Sequence, residues 1–140
     1  DTWLNTHLLP KLNNSLQLVI IQLGDNVNTE ERVSAFEEGA KKLIRFVRKY
    51  APNTRVAWVG EWYSSSIKQT YISNACVECG ATFIDISKLP NVNGNRSYVG
   101  AKYVTDDGVE HEITNSGIAS HPSSQGMRQI ADIIIDVLFK

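Results

Sequence analysis

Residues Leu16 to Leu23 form a short run dominated by leucine, valine and isoleucine, and Gly24 stops it. The run is too short for a helix that buries a useful face, and β-branching favours extended backbone. Apolar residues on consecutive positions, not alternate ones, are the pattern of a strand covered on both faces, as in parallel sheets. The pattern returns at Arg55 to Val59, stopped by Gly60, and at Thr82 to Ile86. Between the first two runs Val33, Phe36, Ala40, Leu43 and Val47 recur at three- and four-residue spacing, which predicts an amphipathic helix. Asn28 is expected to cap it, with Glu31 three residues on as a variant capping box, and Pro52 and Asn53 mark its end. Ser65 to Cys79 reads as a weaker helix closed by Gly80. Such alternation implies right-handed crossovers and an α/β fold: a parallel sheet with helices on both faces. Three strands make a small sheet with apolar, sticky edges, so part of the fold is expected to be missing from the chain.

The remaining segments are less regular. Thr2 to Leu12 is compatible with a short helix carrying Trp3, Leu4, His7 and Leu8 on one face, disturbed by Pro10. Pro90 to Asn95 reads as loop. Tyr98 to Ile113 reads as two extended segments around Asp107-Gly108, a hairpin dipeptide. Pro122 to Phe139 predicts a final helix with Met127, Ile130, Ile134, Val137 and Leu138 on its buried side. No repeat or linker divides the 140 residues, so a single domain is expected.

Charge and hydropathy exclude several classes. With 14 Lys and Arg against 15 Asp and Glu, the net charge is -1, against the basic excess of a phosphate-neutralising nucleic-acid binder. The 42% hydrophobic and 21% charged content argues against disorder. Leu18-Val19-Ile20-Ile21 falls far short of the ~20 residues that span a bilayer. The chain opens on Asp1 with no basic leader, so it reads as processed, tagged or truncated, and its compartment is not legible there.

Open parallel sheets bind ligands at the carboxyl ends of their strands. The first strand delivers Gly24-Asp25-Asn26 to that edge, the second Gly60-Glu61-Trp62-Tyr63, and the last loop Ser120-His121-Pro122. Asn26 is either a site amide or an Asx-turn residue, and His121 either a site imidazole or a residue flanking a helix with Pro122 at its first position. Glu61-Trp62-Tyr63 is either a substrate wall or core. Ser64-Ser65-Ser66 and Ser120, Ser123 and Ser124 read as turn and cap residues. Cys76-Val77-Glu78-Cys79 lies at a helix C-terminus, where the dipole disfavours a thiolate, and no second pair completes a zinc site. Two ordinary thiols, with no metal and no cofactor, are therefore expected.

Ile21-Gln22-Leu23-Gly24-Asp25-Asn26 resembles the strand-end Gly-x-Asn block of the SGNH (GDSL-type) hydrolases. Ser120-His121-Pro122, followed by Gly126-Met127 and Ile130-Ala131, resembles that family's C-terminal catalytic-histidine block. Two strand–helix units separate the blocks, in the family's order. The resemblance spans nearly the whole chain and about the last two thirds of a typical domain. It implies a flavodoxin-like three-layer sandwich whose N-terminal strands are missing here. It implies an esterase of small-molecule or carbohydrate acyl esters, with His121 as general base, Asn26 as oxyanion donor and Gly24 setting a tight approach.

The departures are as informative. No Gly-Asp-Ser nucleophile motif occurs in the chain. Val27 stands where many members carry Asp, and Ile118, three before His121, where many carry the orienting acid. A Ser-His dyad, or an acid among Asp106, Asp107, Glu110 and Glu112, remains open. The resemblance therefore implies a fragment inactive by itself, which self-associates or joins a separate N-terminal fragment. The alternative is a non-catalytic relative serving as a carbohydrate-binding or interaction module.

Overall fold

A computed structural model describes residues 2–63 and 65–140. The chain divides into two compact units, Asp1–Asp85 and Ile86–Lys140. The first holds β1 (Leu18–Ile21), α1 (Glu30–Ser34), α2 (Phe36–Tyr50), β2 (Arg55–Val59), α3 (Ser66–Cys79) and β3 (Thr82–Ile84). The strands are parallel in the order β1-β2-β3, with Ile21 beside Trp58 and Val59 beside Ile84. This is the expected α/β class: a three-stranded parallel sheet flanked by helices.

Position in the sheet decides which strand is fully covered. Val56, Ala57, Trp58 and Val59 of central β2 are all buried, as their unbroken apolar run predicts. β1 departs from that expectation. Ile21 is buried, but Ile20 is 45% exposed, because among the described residues β1 pairs on one side only. Trp3, Leu4, Leu8, Val19 and Ile20 line an apolar groove there of about 650 Å3. No regular α-helix forms over Leu4 to Leu12. Leu4–Leu8 is a π-helical turn, and Leu9–Lys11 a 3-10 turn with Pro10 near its start.

The helix after β1 starts one residue later than its sequence suggests. Thr29 is the cap, its hydroxyl accepting the Arg32 N–H at 3.4 Å, and Asn28 lies outside. The helix is interrupted at Ala35, which separates α1 from α2. α2 then buries Ala40, Ile44 and Val47 against Ile72, Ala75 and Cys76 of α3. Gly80 ends α3 in the left-handed conformation (φ +70°), as expected.

Lys41 and Arg45 of α2 both pair with Glu78 of α3, and Lys41 is the buried one. The Lys41 stem is buried, and its ammonium lies 2.9 Å from Glu37, 3.0 Å from Glu38 and 2.7 Å from Glu78. Hydrogen bonding to Lys41 is the main cause holding the Glu37 and Glu78 carboxyls below the usual range.

In the second unit, β4 (Lys102–Val104) and β5 (Glu110–Glu112) pair antiparallel around Asp107-Gly108, and α4 spans Ser124–Phe139. The hairpin is as predicted, with Gly108 at φ +82°. α4 corrects two expectations. Its cap is Ser123, so Pro122 precedes the helix and is not its first residue. Ile130 is buried, but Met127 and Val137 are exposed, because the small second unit offers the helix a short apolar contact. No helix among the described residues is long and apolar enough to cross a membrane.

A carboxyl whose folded pKa is depressed adds stability above its unfolded pKa, and that stability is lost as pH falls through the folded value. Urea unfolding at about pH 7 and about pH 3 should therefore show a larger loss on acidification for the native chain than for Lys41→Met. Equal losses would mean that the clamp contributes nothing.

Candidate functional site

Gly24, just past the end of β1, has φ +131°, a backbone conformation that side chains rarely permit. Space gives a second reason for glycine. A Cβ there would run into the Glu61 carboxylate and lie 2.7 Å from the Phe36 ring. The Gly24 carbonyl accepts the Val27 N–H at 2.8 Å, closing a turn that presents Asn26 in an exposed position. The turn is closed backbone to backbone.

Two residues with no assigned role in the expected site hold this turn. The Asp25 carboxylate accepts the N–H of Tyr63 at 2.9 Å and that of Trp62 at 3.4 Å. The Lys68 ammonium donates to the Gly24 carbonyl at 3.0 Å and lies 2.7 Å from Glu61 Oε1. Glu61 is 1% and Lys68 5% exposed. Burial pushes the Glu61 carboxyl up, Lys68 opposes that shift, and the Asp25 charge adds to it. Trp62 is buried, so it is core and not a solvent-facing wall, while Tyr63 is partly exposed.

Gly24 and Asn26 line a recess of about 650 Å3 whose other walls include Arg32, Phe36, Leu43 and Trp58. Trp58 is fixed there by its Nε1–H to the Leu23 carbonyl at 3.3 Å and by edge-on packing with Phe36 at 6.4 Å. The recess thus places the exposed Asn26 and Gln22 amides beside aromatic and aliphatic walls.

His121 belongs to the second unit, in the exposed loop before α4. Its N–H donates to the Ile118 carbonyl at 3.0 Å, and its carbonyl accepts the Ser97 N–H at 2.9 Å. Arg96 bridges to Pro122, and the Ser123 N–H donates to the Asn95 carbonyl at 2.8 Å. The wholly buried Asn95 anchors that segment. Its Nδ2 donates to the Leu89 carbonyl at 2.9 Å and to Gln129 Oε1 at 2.8 Å, and its Oδ1 accepts Gln125 Nε2 at 3.0 Å.

Two of the candidate acids serve the hairpin. Asp107 accepts the Thr105 hydroxyl at 2.6 Å and the Val109 N–H at 3.2 Å, which lower its carboxyl, and Glu110 pairs with Lys102 at 2.8 Å. Ser123 caps α4, accepting the Gly126 N–H at 3.1 Å, and Ser65 stands at the cap position of α3. Ser64 lies outside the described residues. Cys76 and Cys79 are free thiols in the last turns of α3, and burial pushes the Cys76 thiol up to about 11, disfavouring a reactive thiolate.

Lys68 and Asn95 are the residues that sequence reasoning missed, and Asp25 is placed at the strand edge by the sequence but given no role. Lys68 had a usable signal. It shares a helical face with Ile72, Ala75 and Cys76, and a lysine on a core face needs a partner.

No protein-family model matches the chain, and no curated protein matches it. Among solved structures, the phospholipase A1 of Streptomyces albidoflavus NA297 is similar over 96% of this chain and 75% of its own. The TM-score is 0.60 at 15% identity. That likeness is one of fold: a parallel sheet flanked by helices, part of a flavodoxin-like α/β sandwich.

Removing one partner of a buried ion pair leaves an uncompensated charge, so Glu61→Leu should cost about 3–5 kcal/mol in urea unfolding. Adding Lys68→Met should restore most of that stability. Hydrogen exchange at the Val27 amide should still be faster than in the native chain, because the ammonium on the Gly24 carbonyl is gone. Native-like exchange in the double variant would show that Lys68 does not hold the turn.

Proposed function

We propose that the chain is the C-terminal portion of an SGNH-type serine esterase domain that cleaves acyl esters, including those on carbohydrate. The observation that carries this reading is the Gly24–Val27 turn at the carboxyl end of a parallel strand, fastened by Lys68 and Asp25 beside a recess bordered by Phe36, Leu43 and Trp58. The fold likeness to a phospholipase A1 supports the same class.

In this reading each residue has a separate task. His121 accepts the proton of an attacking serine hydroxyl, which is a weak nucleophile until a base takes that proton. Imidazole suits the task because its ordinary pKa lies near neutrality. The Asn26 amide donates to the oxyanion as it develops, a contribution of about 3 kcal/mol in comparable sites. Gly24 keeps the turn tight, and the recess bordered by Phe36, Leu43 and Trp58 takes the acyl group. The serine comes from a further strand pairing with the outer edge of β1, where Ile20 and the apolar groove lie exposed.

The test joins gene and enzyme. The 140-residue chain should hydrolyse p-nitrophenyl acetate no faster than its His121→Ala variant. A longer gene product carrying a Gly-Asp-Ser segment upstream should turn it over. There, His121→Ala should lower kcat by about 100- to 10,000-fold and Asn26→Ala by about 100- to 1,000-fold. Turnover by the isolated chain above its His121→Ala control, or an upstream sequence with no serine motif, would overturn the proposal.

A further inference from the structure

The second unit holds a cleft of about 600 Å3 between the 93–98 segment, the base of the hairpin and the start of α4. Among the described residues no Asp or Glu lines it, whereas Arg96 and Lys102 both do. The two cations differ in what they leave open. Lys102 is paired with Glu110 at 2.8 Å, so its charge is met on the hairpin. Arg96 uses one N–H on a neutral acceptor: its Nε donates to the carbonyl of buried Pro90 at 2.8 Å. That bond holds the guanidinium by one edge. Its Nη1 and Nη2 groups make no hydrogen bond or ion pair among the described residues. An open guanidinium in a wall without carboxylates favours an anionic ligand.

The carbonyls that would repel an anion there already have donors. Ser123 Oγ donates to the Gly94 carbonyl at 2.6 Å, and Gln125 Nε2 to the Asn93 carbonyl at 3.1 Å. Two hydroxyls remain open. Those of Ser97 and Ser124 line the cleft and have no partner among the described residues. One guanidinium fork satisfies a carboxylate by itself, whereas a phosphate group offers a further terminal oxygen and takes additional donors. Tyr103, 47% exposed, also lines the cleft. It stacks on His111, its cross-strand partner, with centroids 5.4 Å apart and planes 24° from parallel. Its ring is thus oriented before a ligand arrives, which lowers the entropy lost on binding.

We propose that this cleft binds a small, soluble phosphate monoester. Arg96 holds two phosphate oxygens, the Ser97 and Ser124 hydroxyls serve the third, and the organic group lies against Tyr103. This is a second site, separate from the ester-cleaving one. It needs neither Asn26 nor a serine from outside the chain.

Calorimetric titration of the full 140-residue chain at physiological salt should show saturable binding of phenyl phosphate. Glycerol 2-phosphate, with no ring to meet Tyr103, should bind about tenfold more weakly. Arg96→Gln should weaken phenyl phosphate about 10- to 100-fold, the range for hydrogen bonds to a charged group. Arg96→Lys keeps the charge but loses the fork, and should recover only part of that loss. Ser124→Asp leaves Arg96 and its Pro90 bond in place. It sets a carboxylate in the first turn of α4, where the helix favours one, and beside the phosphate, where it repels. It should abolish binding in a folded chain, which keeps the test decisive if Arg96→Gln loosens the 93–98 segment. Absence of binding by both monoesters would overturn the proposal. So would affinity unchanged in Arg96→Gln and Ser124→Asp, or benzoate or benzyl alcohol binding as tightly as phenyl phosphate. Capture by vesicles containing phosphatidic acid, with no binding of the soluble monoesters, would overturn it too, because the ligand would then be a membrane. No turnover is measured, so loss of the esterase reading leaves this result intact, and absence of phosphate binding leaves the esterase reading intact.

Discussion

One buried ammonium joins the ends of two strands in the first unit. Lys68 reaches both the Gly24 carbonyl after β1 and the Glu61 carboxylate after β2. Removing both charges from water is costly, and their mutual attraction offsets that cost only when the remaining polar atoms are well placed. Glycine at position 24 makes the arrangement possible, because the space its Cβ would take is occupied by the Glu61 carboxylate. The backbone angle, the ion pair and the turn that exposes Asn26 are therefore a single structural decision. Asp25 adds an independent fastening through the Trp62 and Tyr63 amides, so the turn is anchored through both its backbone and its side chain.

Periodicity made the regular elements legible, and tertiary context decided the rest. Arg55–Val59 is a strand with the bounds its apolar run suggests, and Gly80 ends α3 where a left-handed residue was needed. The run at Leu16–Leu23 shortens to four residues with one face partly open, since composition cannot say whether a strand will find neighbours on both sides. Asn28 and Thr29 are both competent caps, and their order in the sequence does not decide between them; the backbone does.

For the candidate site, sequence gave positions but not the machinery holding them. Gly24 and Asn26 share a strand-end turn and His121 a pre-helix loop, both readable from local signals. The partners of those segments are distant in sequence. Lys68 is on another helix from the turn it holds, and Asn95 precedes the His121 loop by a whole hairpin. Long-range hydrogen bonds leave no periodic trace, so only an anomaly such as a lysine on a core face, or an asparagine in a loop that proves fully buried, marks them. The first is visible in sequence and the second only in the fold.

The two units organise their loops by the same device. In each, a buried polar side chain bonds to groups on other segments: Lys68 to Gly24 and Glu61 in the first, Asn95 to Leu89, Gln125 and Gln129 in the second. The device matters more in the second unit, where α4 buries only Gly126 and Ile130 and the paired residues of the hairpin are all exposed. A two-stranded hairpin is marginal by itself, so its order depends on local bonds. Asp107 supplies them at the tip through Thr105 and Val109, and the Tyr103–His111 stack and the Lys102–Glu110 pair supply them along the strands. Stabilisation of this kind uses polar groups and ring faces without removing them from water.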